Sequence, residues 1–242
     1  MGKLKMVAAA AAASVLALPA GSASAAAYVG TIPGLAASNQ FLNMFTGGAS
    51  VQGWYGANLY LVGGPATIQV EYFGAEAGAN NSFNFASGAC VRSHVGGTGG
   101  GAGTFTNSGP ATLGGEDVIV ANCSVANVAS GLLDFLFTTS AGLSVVNGAN
   151  RDNTDLSSNY FMSFDSNYAL DTTTTDGTRG SGQSVFIFFD DSGAANDDNH
   201  DDMVIRLSIT GGSFTVPEPG ALALVGLALT GLGLSRRRAA RA

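Results

Sequence analysis

Between residues 26 and 216 the apolar side chains recur every second residue in short runs, and no stretch sustains the 3.6-residue period of a long helix. Met203–Ile209 shows the pattern most clearly. Met203, Ile205, Leu207 and Ile209 fall on one face of an extended strand, and Val204, Arg206 and Ser208 on the other. Ala66–Phe73 alternates in the same way, with Ile68, Val70 and Tyr72 against Thr67, Gln69, Glu71 and Phe73. Ser158–Asp165 sets Tyr160, Met162 and Phe164 against Phe161 and Ser163. Ser184–Phe189, Leu132–Thr138 and Leu143–Val146 are apolar enough for buried strands, and Val118–Ala121 reads as a strand just before Cys123. Ser50–Leu61 carries Trp54, the single tryptophan. A strand buried against a sheet is its first reading, and an exposed sugar-stacking platform its second. Gly- and Asn-rich clusters separate these runs, and no repeat of fixed period appears. The pattern predicts an all-β protein, a single β-sandwich or jelly-roll-like domain over residues 26–216.

The two ends differ from this interior. Lys3 and Lys5 precede the apolar run Met6–Leu18, and Ala23-Ser24-Ala25 offers a small-residue cleavage site. Residues 1–25 therefore read as a signal peptide helix, a substrate for signal peptidase. At the other end, Pro217-Glu218-Pro219 is followed by Gly220–Leu234, 15 residues without a charge. A basic tail over residues 235–242 then contains Arg236, Arg237 and Arg238. The prolines prevent a helix from starting earlier. At about 1.5 Å per residue the apolar segment covers only part of a roughly 30 Å hydrocarbon layer, so it reads as a short transmembrane helix and a weak permanent anchor. The arginines belong on the cytoplasmic side, which places the body beyond the membrane.

This order of features, Pro217-Glu218-Pro219, a short apolar segment over residues 220–234 and the cluster Arg236-Arg237-Arg238, resembles the PEP-CTERM sorting signal, here over residues 217–242. The resemblance implies processing by exosortase, a membrane enzyme of Gram-negative bacteria that also make exopolysaccharide. It implies passage through the inner membrane, removal of the tail near the motif, and delivery to the cell surface or the extracellular biofilm matrix. A second string is similar to a stretch found in many such proteins: Gly74, then Glu76-Ala77-Gly78, then Asn81-Ser82-Phe83.

With the ends set aside, the body is strongly acidic. Both lysines lie in the signal and four of the eight arginines in the tail. Arg92, Arg151, Arg179 and Arg206 face 16 acidic residues in the body, a net charge near −12. Such a surface repels nucleic acid and attracts cations. Cys90 and Cys123 form the one cysteine pair, which in an exported chain reads as a disulfide. Gly96–Gly103 is glycine-rich, but it lacks the Gly-Lys-Ser/Thr ending of a phosphate-binding loop and reads as a surface loop.

Between the last two predicted strands lie 13 residues, Asp190 to Asp202, with six aspartates and two asparagines. Two like charges about 5 Å apart repel by roughly 3 kcal/mol at an effective dielectric near 20. Either the loop stays solvated or a hard cation sits among its oxygens. Asp197, Asn199 and Asp201 alternate along an extended segment, while Asp190 and Asp191 leave the opposing strand at the same loop mouth. With Asp202 they make a candidate calcium site of carboxylate and amide oxygens. The string also resembles a calcium-associated element of a secreted bacterial domain of unknown function, an aromatic and acidic pair followed by Asp-x-Asp-aromatic-Asp-Asp. Here Asn199 and His200 depart from it.

For catalysis the sequence offers little. His94 and His200 are far apart and have no evident partner set, and Glu116-Asp117 reads as a turn before a strand. The expectation is a non-catalytic exported protein with a structural or adhesive role at the surface or in the matrix. The alternative is a calcium-stabilised carbohydrate-binding module facing exopolysaccharide, with Trp54, Tyr55 or Tyr60 exposed in a groove.

Overall fold

The computed structural model describes residues 27–32, 39, 41–42, 50–94, 121–154, 156–164, 178–194 and 198–217. The signal peptide, the segment Gly220–Leu234 with its arginines, Gly96–Gly103, Glu116-Asp117 and Asp197 lie outside them. Among the described residues no helix is long and apolar enough to cross a membrane.

In chain order the strands are β1 (Tyr28–Ile32), β2 (Val51–Tyr55), β3 (Tyr60–Val62), β4 (Ala66–Gly74), β5 (Asn81–Phe85), β6 (Cys90–His94), β7 (Ala121–Val128) and β8 (Gly131–Leu132). There follow β9 (Phe135–Thr139), β10 (Ser144–Val146), β11 (Asn159–Ser163), β12 (Ser181–Gly182), β13 (Ser184–Asp190), β14 (Met203–Thr210) and β15 (Ser213–Thr215). Among the described residues they pair into three antiparallel sheets. The largest has seven strands in the order β1-β2-β11-β13-β14-β4-β7, and two four-stranded sheets run β10-β9-β5-β6 and β12-β15-β3-β8. The all-β expectation holds, in several antiparallel sheets.

The seven-stranded sheet is buried on both faces at its centre. Along β13, Val185, Ile187 and Phe189 enter one apolar cluster, and Phe186 and Phe188 enter a second. This two-sided burial is why Ser184–Phe189 reads as a continuous apolar run, with no polar face. The first cluster joins that sheet to Phe83, Phe85, Phe135 and Phe137 of the β5–β9 sheet and to Leu61 and Phe214 of the third. Phe137 and Phe189 stack across this seam with ring centroids 4.6 Å apart. The second cluster is closed by Phe41 and Leu42, with Ile32, Val51 and Tyr55. Fully burying a phenylalanine side chain is worth roughly 1.5–3 kcal/mol, so this aromatic seam is a main source of stability. Gly53 lets β2 approach β11, because a Cβ there would collide with the Met162 carbonyl and the Phe161 ring.

Cys90 on β6 and Cys123 on β7 form a disulfide, with Cα atoms 6.2 Å apart. It staples the edge of the β5–β9 sheet to the edge of the seven-stranded one. At the other end of the body, Val216 is buried and donates its N–H to the Gly180 carbonyl at 2.8 Å. Pro217 is exposed immediately beyond it.

Candidate functional site

β13 and β14 form the predicted hairpin, and its acidic mouth is built from backbone constraints outward. Asp190 closes β13. Its Oδ1 accepts the N–H groups of Ser192 at 2.8 Å and Gly193 at 2.7 Å, and the Ser192 hydroxyl at 3.3 Å. A carboxylate capping the two residues that follow it is the usual way an aspartate starts a turn. One oxygen is thereby fully engaged. The other, Oδ2, is buried and has no hydrogen-bond partner.

The returning segment is held in an unusual backbone conformation. Asp198 and His200 have φ of 44° and 59°, the left-handed region that residues with a Cβ seldom occupy. Neighbours enforce it. Asn39 donates to the Asn199 carbonyl at 2.6 Å, and the Asp201 carbonyl accepts the Glu76 N–H at 3.0 Å. The strained turn directs His200 inward, where it is wholly buried. Its ring packs edge-on against Tyr55 and Phe161, with centroids 5.4 and 6.3 Å away.

A chain of amides orients that ring. Asn153 donates to Asp198 Oδ1 at 2.5 Å, and Asn159 donates through Nδ2 to Asn153 Oδ1 at 3.1 Å. Asn159 therefore presents its carbonyl oxygen, Oδ1, to His200 Nε2 at 2.8 Å. An acceptor there requires Nε2 to carry the proton, which leaves Nδ1 of the neutral imidazole as a bare lone pair. Nδ1 faces Asp190 Oδ2 at 3.6 Å and Asp198 Oδ1 at 3.7 Å, and it has no hydrogen-bond partner. Asp190, Asp198 and His200 each offer a donor atom, all within 4.8 Å of one another.

Burial sets the charge states. Loss of water pushes the Asp190 carboxyl up to about 7, against the lowering pull of the Ser192 and Gly193 N–H groups and with further upward pressure from Asp198 and Asp191. Burial likewise drives His200 down to about 3, opposed by the Asp198 backbone carbonyl. Asp202 is also raised, first by burial and then by Asp191. The pocket is thus adverse both to bare carboxylates and to an imidazolium.

The predicted oxygen ligands are partly redistributed. Asp190, Asp191, Asn199, Asp201 and Asp202 all lie at the hairpin mouth, but several are engaged internally. Asp191 Oδ2 accepts from Asn81 at 2.9 Å, Asp202 Oδ2 accepts the Asp191 N–H at 2.8 Å, and Asn199 Oδ1 accepts the Asp201 N–H at 3.3 Å. Asp198 and His200, absent from the predicted set, join Asp190 instead. The spacing of Asn159 from His200, 41 positions, hides that partnership from sequence. The other histidine, His94, has its Nε2 3.0 Å from the Ala77 carbonyl.

Of the three aromatic residues considered as a sugar platform, Trp54 and Tyr55 are buried. Trp54 is 9% exposed and donates its Nε1–H to the Arg179 carbonyl at 3.1 Å. Tyr55 is 4% exposed and bonds the Thr31 carbonyl at 2.9 Å. Tyr60 is half-buried.

The body is therefore an all-β protein of antiparallel sheets with a buried carboxylate–imidazole cluster at one hairpin mouth. Residues 215–238 match the PEP-CTERM protein-sorting motif, so the chain bears that sorting signal, which begins at Thr215, the last residue of β15. The motif implies an exported protein processed by exosortase. No match to the chain emerges among curated proteins or among solved structures.

Proposed function

We propose that this is a non-catalytic protein sorted by exosortase to the cell surface or extracellular polysaccharide matrix of a Gram-negative bacterium, where its β body is a structural or adhesive component. The observation that carries the reading is the sorting motif at residues 215–238, which begins on the last strand of the body. A core with large aromatic side chains on both faces of one sheet, stapled by Cys90–Cys123, suits a protein that must stay folded outside the cell. The acidic surface suits a matrix where cations link anionic polymers.

The alternative, a calcium-stabilised carbohydrate-binding module, needs an exposed aromatic platform. Burial of Trp54 and Tyr55 supports it less well. The test is cell fractionation of the native chain beside a variant with Pro217, Glu218 and Pro219 changed to alanine. The native chain is expected at the surface or in the matrix, and the variant held at the inner membrane. An unchanged distribution would contradict exosortase sorting through this motif.

A further inference from the structure

We propose that Asp190, Asp198 and His200 bind one divalent cation of the borderline class, zinc foremost, as a structural clip that fixes the loop between β13 and β14. The argument starts from the imidazole. Asn159 occupies Nε2, so the lone pair of Nδ1 points at two carboxylate oxygens 3.6 and 3.7 Å away. Three electron-rich atoms converge, two of them (Asp190 Oδ2 and His200 Nδ1) buried without a hydrogen-bond partner, and such an arrangement calls for a positive centre between them. A shared proton does not serve, because a hydrogen bond from carboxyl to imidazole closes to roughly 2.7–3.2 Å. A metal does. Ligands about 2.0–2.2 Å from a tetrahedral zinc stand roughly 3.4 Å apart, close to the 3.6 and 3.7 Å of the two imidazole–carboxylate pairs, and the three donor atoms all lie within 4.8 Å of one another.

The donor set decides the class of metal. Calcium takes six to eight oxygens, whereas imidazole nitrogen favours zinc and its transition-metal neighbours. Here one donor is nitrogen, and that nitrogen decides against a cage of oxygens alone; Asp198 Oδ1 also accepts the Asn153 amide, which leaves it a further lone pair for an ion. The Asn159–His200 bond is the outer support that metal-binding histidines characteristically have, setting the tautomer and ring orientation. Two ligands lie on the strained turn and one on the end of β13. An ion joining them would offset the cost of that turn.

The experiment uses the full chain in detergent, stripped with chelator, then dialysed separately against zinc, manganese and calcium. Bound metal and melting temperature are both measured. One zinc per chain and a melting temperature several degrees higher are expected. Asp198→Asn should lose the zinc, and Asn159→Ala should hold it about ten- to a hundredfold more weakly. Asp202→Asn should retain it, because that carboxylate is engaged elsewhere. His200→Asn is expected to fold yet bind no zinc. Should that variant fail to fold, cobalt bound to the unaltered chain reports nitrogen ligation through its visible spectrum. Failure to retain zinc would overturn the proposal. So would stabilisation by calcium alone, equal in the native chain and the Asp198→Asn variant.

Discussion

Arg206 and Glu71 meet across β14 and β4 as a two-pronged pair, with Nε 2.6 Å from Oε2 and Nη2 3.1 Å from Oε1. Ser208 also donates to Oε2 at 3.2 Å, and the guanidinium lies over the Phe73 and Phe186 rings at 5.1 and 5.5 Å. The pair is nearly buried. Arg206→Met would leave the Glu71 carboxylate uncompensated and should cost about 3–5 kcal/mol in urea unfolding. Changing both residues to leucine should recover most of that loss. An Arg206→Met variant as stable as the native chain would show that the pair contributes nothing.

Asn147 acts as a buried substitute for strand pairing. Its amide donates to the Leu59 and Leu133 carbonyls, both at 2.8 Å, while its oxygen accepts the Leu59 N–H and the Tyr160 hydroxyl at 2.8 and 2.9 Å. Asn147→Asp keeps the shape but replaces a donor with an acceptor facing two carbonyls. Each group left unpaired costs about 1–3 kcal/mol, so thermal unfolding should reveal a loss of at least 2 kcal/mol. A change within experimental error would show that the network tolerates the inverted polarity.

Reduction of Cys90–Cys123 should destabilise the body without changing its sheet content at low temperature. The bridge spans 33 positions, which the chain-entropy estimate converts to about 3–4 kcal/mol. Denaturant midpoints with and without reductant measure it. Equal midpoints would mean that the sheets alone fix the two edges.

The hairpin mouth also predicts how the metal-free chain responds to pH. Asp190 titrates near 7 when folded against about 4 unfolded, so its contribution is full below about pH 4 and is lost as pH rises through 7. Asp202, also raised, acts in the same sense. His200, at about 3 when folded against about 6.5 unfolded, acts oppositely: its contribution is lost as pH falls from about 6.5 towards 3. Two carboxyls outweigh one imidazole above about pH 4, so melting temperature should be higher at pH 5 than at pH 8. Zinc, which needs deprotonated ligands, should reduce or reverse that difference. A metal-free chain markedly more stable at pH 8 would contradict these charge states.

Much of the architecture was legible because pattern and burial agree. Met203–Ile209 and Ala66–Phe73 were readable from alternation, and they pair with each other in the seven-stranded sheet as β14 and β4. Of the strand expected at Val118–Ala121, only Ala121 lies among the described residues, and there it opens β7 (Ala121–Val128), with Cys123 inside that strand. β5 carries a short alternation too, with Asn81, Phe83 and Phe85 buried against Ser82 and Asn84, but five residues with two asparagines do not stand out from the polar turn residues around them. The candidate site was half visible. Six aspartates announced the hairpin mouth, but the role of His200 depends on Asn159 and Asn153, which only folding brings alongside it. Local spacing cannot show that a lone histidine acquires a carboxylate pair on one nitrogen and an amide on the other.

The most direct measurement of the central claim is the intact mass of the native protein recovered from the cell surface, before and after reduction. The account predicts a chain that starts near Ala26, has lost Arg236, Arg237 and Arg238, and gains two hydrogens on reduction. A mature protein recovered from the cytosol with those arginines still attached would contradict it.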